Sequence, residues 1–119
     1  MTVAELLAHP DADDLAFQLL VNAFVDDFRR AEPEARAQMV ADGPDRAGPR
    51  EGLVAAVVSA LCREVGDEAP RWVRETRSPT PYFVIPARGF ALRVRLMLES
   101  PPPFRARNVF VPENYLARA

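Results

Sequence analysis

The chain of 119 residues has no lysine, one histidine (His9), one cysteine (Cys62) and only five glycines. Each scarcity excludes something. A single cysteine forms no intramolecular disulfide, so the chain lacks the staples common in small secreted domains, and the cytoplasm is the expected compartment. One histidine and one cysteine cannot build a zinc site, and Asp11, Asp13 and Asp14 lack the glycine and closing glutamate of a calcium loop. The glycines are scattered, with no GxGxxG or Walker pattern to cradle a phosphate. Nucleophilic catalysis would have to rest on His9, near the end of a short terminal helix, and no spacing selects a carboxylate pair for acid–base work. The reading is therefore a non-enzyme with no cofactor and no metal. No apolar run approaches the roughly 20 residues of a membrane helix, and the acidic start, MTVAELLAHPDADD, has no basic n-region. Neither export nor membrane insertion is expected.

What the chain does have is arginine, fifteen of them, unevenly placed. Residues 1–70 hold fourteen Asp or Glu against six Arg, a balance of −8, while residues 71–119 hold nine Arg against three Glu, a balance of +6. Two consequences are open. The basic half docks on the acidic helices of its own chain, or it offers a face to an acidic protein or a nucleic acid. The overall pI of about 5.4 weighs against nucleic acid.

With 49% apolar and 27% charged residues, the sequence fits one domain over 1–119, with an acidic helical part at 1–66 and a basic, proline-rich part at 67–119. The expected fold is mainly α, a bundle of about four N-terminal helices followed by a wrapping segment and short C-terminal helices. Thr2 and Glu5 have capping-box spacing for a first helix through Leu7. Asp11, Asp13 and Asp14 read as caps for the second, in which Phe17, Val21, Phe24 and Phe28 form a stripe that Leu15, Leu19 and Ala23 widen. Pro33 opens a third helix that Gly43-Pro44 stops. Pro49 opens a fourth over 50–65, closed by Gly66. The large apolar faces of helices two and four make a homodimer an expectation. Cys62, on the fourth, reads as a small buried hydrophobe.

Beyond Pro70, prolines at 70, 79, 81 and 86 predict an extended arm that plugs in Trp72, Tyr82, Phe83 and Ile85. Segment 90–98 fits either a strand, by alternation, or a helix whose face is Phe90, Val94, Met97 and Leu98; with a strand there the class becomes α+β. Ser100-Pro101 and Pro112-Glu113 read as starts of short helices, the second over 114–118. The residues best suited to gripping a partner are Trp72, Arg88, Arg93, Arg95, Phe104, Arg105, Arg107, Asn108 and Phe110, because arginines and aromatics both stack on bases and dominate protein interfaces.

Pro70-Arg71-Trp72, the leucine-rich run ending in Ser100-Pro101, the stretch FRARNVFV from Phe104 to Val111, and the closing Leu116-Ala-Arg118-Ala form a pattern over the last fifty or so residues. It resembles the C-terminal portion of small bacterial antitoxin-like proteins, some with an Xre-type helix-turn-helix, associated with nucleotidyltransferase-type toxins. The resemblance implies a non-catalytic protein whose C-terminal segment engages a toxin enzyme. Residues 1–66 depart from the Xre-type members, since their acidic helices lack a basic or amide-bearing recognition face. The alternative is a nucleic-acid-binding regulator that uses the same basic segment.

Overall fold

The computed structural model describes residues 1–85 and 87–117; Pro86, Arg118 and Ala119, which the sequence reading included in its arm and closing helix, lie outside them. The fold is mainly helical. Thr2 caps α1 (Val3–Leu7), its hydroxyl oxygen accepting the Glu5 N–H at 3.1 Å. Asp13 caps α2 (Asp14–Arg30) by accepting the Ala16 N–H at 2.8 Å. Pro33 and Pro49 stand at the starts of α3 (Pro33–Val40) and α4 (Pro49–Val65), where a missing N–H costs nothing. Gly66, at φ 76°, closes α4, and the following Asp67 N–H reaches back to Cys62 O at 2.8 Å.

α4 is the axis of the molecule. Every residue from Gly52 to Val58 is buried, and the helix packs against α1, α2 and three C-terminal elements. Those are α5 (Arg71–Glu75), α7 (Pro102–Arg105) and β2 (Val109–Phe110). The apolar face of α4 is thus covered within the chain and cannot serve a dimer. α2 turns Phe17, Val21, Phe24, Val25 and Phe28 to the same core. Leu15 and Leu19 do not widen that stripe: they are 71% and 60% exposed, Leu15 at the rim of a cleft beside the helix.

The arm does wrap, but it contains the helix α5 and ends in β1 (Tyr82–Phe83), which pairs in parallel with β2, Tyr82 opposite Val109 and Phe83 opposite Phe110. Ile85 is exposed and plugs nothing. Segment 90–98 is helical, within α6 (Phe90–Glu99). Two expectations about the tail need correcting. Ser100 does not cap a new helix; it terminates α6, and its buried hydroxyl accepts the Val111 N–H at 2.8 Å while lying 2.6 Å from Leu96 O. Residues 113–116 form turns, with Tyr115 N–H on Pro112 O at 3.1 Å, and no helix begins at 114. The radius of gyration is 13.6 Å, near the about 13 Å of a compact chain of 100 residues. No helix among the described residues is long and apolar enough to cross a membrane.

Candidate protein-binding site

Five of the nine candidate residues are turned inward. Phe104 is fully buried in the main core and meets Tyr115 edge-on at 5.6 Å. Phe110 is buried and stacks on Phe83 at 5.1 Å. Trp72 is half-buried; its indole N–H donates to Val40 O at 2.8 Å, tying the arm to the last turn of α3, and a Cβ on Gly43 would lie 2.5 Å from its ring. Arg107 is buried, its guanidinium donating to Val73 O at 3.0 Å and Pro103 O at 2.7 Å. Burial holds its pKa below the usual arginine value. Asn108 takes the left-handed conformation, φ 63°, and its amide donates to Ser78 O at 3.3 Å. These residues build the C-terminal scaffold, and that use accounts for the FRARNVFV stretch without a partner.

The other four, Arg88, Arg93, Arg95 and Arg105, are exposed. Arg93 lies on the Phe83 ring at 5.5 Å and donates to Ala87 O at 3.0 Å; Arg95 pairs with Glu99 at 3.4 Å one turn on. Ion pairs form within each half. Arg29 pairs with Glu64, Arg36 with Asp67, Arg50 with Asp14, and Arg71 with Glu75. The halves are held together by apolar burial of Phe104, Val109 and Val111, with Tyr115 O–H donating to Gln18 at 2.6 Å.

Three of those arginines, Arg88, Arg93 and Arg95, flank or lie on α6. α6 buries Leu96, which packs with Ala87 and Phe110, and with half-buried Phe83, in a small cluster apart from the main core. The face carrying Phe90, Val94, Met97 and Leu98, at i, i+4, i+7 and i+8, is turned outward: Phe90 is 83% and Leu98 74% exposed. The signal for this surface was present as a coherent stripe. Nothing local said that it faced water.

Two adjoining clefts lie against α2. The apolar one, about 450 Å³, is lined by Leu15, Leu53, Tyr82, Val84, Ile85 and Tyr115, with Asp14 and Gln18 among its polar members. The polar one, about 370 Å³, shares Asp14, Phe17 and Tyr82 and adds His9, Arg46, Arg50 and Glu51. Its charges are already matched, because Arg50 donates to Ala12 O at 2.6 Å, lies 3.4 Å from Asp14 and covers the Phe17 ring at 4.5 Å. Burial, helped by Asp14, raises the Tyr82 pKa. Among the described residues no three His, Cys, Asp or Glu side chains come together as a metal site. Cys62 is buried, and desolvation raises its thiol pKa, so it is poorly placed as a nucleophile. No family model, curated protein or solved structure matches this chain.

Proposed function

We propose that this chain is a regulatory protein that acts by binding another protein, and that α6 is the element it offers. The observation that carries this reading is the exposure of Phe90, Met97 and Leu98 on a helix that buries only Leu96. A helix of ten residues is marginal on its own in water, so most of its stability must come from what its faces touch. One face touches the body through a single buried leucine. The other has the anchor spacing by which amphipathic helices enter apolar grooves, and its arginine flanks suit a groove with an acidic rim.

The finer form of the proposal is an antitoxin-like partner of a toxin enzyme. It is supported by the C-terminal resemblance and by the exposed Arg88, Arg93 and Arg95, which would complement an acidic, metal-binding active site. Co-expression with the products of neighbouring genes and co-purification tests it. A chain carrying Phe90→Asp and Leu98→Asp, both at exposed positions, should keep its circular dichroism spectrum and lose affinity for the partner about thirtyfold or more. Unchanged retention of the partner overturns the reading.

A second reading, nucleic-acid binding, is favoured by Arg74, Arg77, Arg88 and Arg105, all exposed and without an ion pair among the described residues. It requires retardation of DNA or RNA at low salt that weakens steeply as salt rises.

A further inference from the structure

The apolar cleft beside α2 and the open face of α6 are complementary surfaces carried by one chain. Leu15 and Ile85 wall the cleft, and the carboxylate of Asp14 at its edge is 88% exposed, with Asp11 exposed just before it. α6 has the opposite sign, its apolar stripe flanked by Arg88, Arg93 and Arg95. We infer that in the absence of a partner α6 is covered by a second copy of this chain, its Phe90 end seated in the cleft of the other copy and the contact returned, so that a partner must displace a two-fold dimer. The inference rests on the reading of α6 as a protein-binding face and adds its competitor.

Charge selects the cleft over the other self-contact. Two α6 helices laid face to face would oppose Arg93 and Arg95 with their own copies, with Glu99 the one carboxylate on the helix. The cleft offers Asp14 instead, whose carboxylate stays 88% exposed while it lies 3.4 Å from Arg50. Ile85 precedes Phe90 by five residues, so cleft and helix are neighbours in the chain, and a single two-fold axis would satisfy both contacts at once. The helix cannot fill its own cleft, because Leu96 fastens it to Phe83 and Phe110 with the stripe turned away. Area agrees. Five of the eight large apolar side chains exposed among the described residues are Leu15, Ile85, Phe90, Met97 and Leu98, on these two surfaces. Monomers rarely expose more than a few hundred Å² of contiguous apolar surface, whereas a stable interface covers about 800 Å² per partner.

Sedimentation velocity of the full chain from about 1 to 100 µM tests this. A dimer is expected, with Phe90→Asp and, separately, Leu15→Asp each weakening it about tenfold or more. Mixed one to one, the two variants should associate more tightly than either alone, since the mixed dimer keeps one intact contact. A monomer across the whole series overturns the inference, as does a dimer that Phe90→Asp breaks and Leu15→Asp leaves intact. Neither result touches the partner-binding reading, which falls only if the charged α6 variant still retains its partner. Should either variant unfold, charge reversal replaces it: Asp14→Arg and Arg95→Glu are each expected to weaken the dimer, and both together to restore it; no restoration overturns the inference.

Discussion

Arg107 occupies the interior with no carboxylate beside it among the described residues, and carbonyl oxygens of Val73 and Pro103 take the guanidinium N–H groups. A planar fork suits two fixed acceptors better than an ammonium would, which is why arginine fits here. Ser100 makes a comparable buried connection, from the end of α6 to Val111. Ser100→Ala leaves the Val111 N–H buried without an acceptor, and a loss of about 1–3 kcal/mol is expected in urea unfolding. Arg36 and Asp67 link α3 to the close of α4 at 2.9 Å, and that hydrogen bond holds the Asp67 pKa below the usual carboxylate value. A depressed pKa in the folded state contributes stability that is present above the unfolded value, about 3.9, and disappears as pH falls through the folded value. Asp67→Asn should therefore lower stability at neutral pH and converge on the parent below about pH 4, flattening the acid limb; an unchanged acid limb rules the pair out. Arg107 shows the limit of reading single residues: by type it belonged to a partner-binding face, and only the carbonyls brought to it by residues 73 and 103 make it a core residue.

At the scale of elements, α1 to α4 were legible because their signals are local: a threonine or aspartate cap, a proline in the first turn, a glycine at the end, one apolar period. α6 was legible as one of two shapes, but not in orientation, since Leu92 and Leu96 supply a second apolar side opposite Phe90 and Val94. The β1–β2 pair was invisible, because two-residue strands separated by 25 residues leave no period to read. Of the candidate site, the arginines of 88–95 were found, and the apolar stripe beside them was read as one helix face without saying which way it pointed. Gly52 was also passed over. A Cβ there would stand 2.5 Å from Ser78 N, whose N–H donates to Arg107 O at 2.9 Å. Alanine ordinarily favours a helix over glycine by about 1 kcal/mol. Gly52→Ala should nonetheless destabilise by about 1–3 kcal/mol, because the 77–78 backbone must retreat; a variant as stable as the parent would show that the contact yields freely.

For the molecule as a whole, opposite net charges suggested that the basic half docks on the helices of the acidic half; it does pack there, through apolar burial of Phe104, Val109 and Val111 and through Arg29 donating to Leu116 O at 2.8 Å. Ion pairs form within each half, Arg36 with Asp67 and Arg71 with Glu75 among them, while Arg74, Arg77, Arg88 and Arg105 stand at the surface. The axial helix α4 is enclosed partly by Phe104, Val109 and Val111, all fully buried and all near the C-terminus. During synthesis those side chains follow α4 by about forty residues. Until they arrive, the valines and leucines of α4 lack part of their cover, so a nascent chain that has made α4 but not residues 104–111 presents sticky surface to chaperones and proteases.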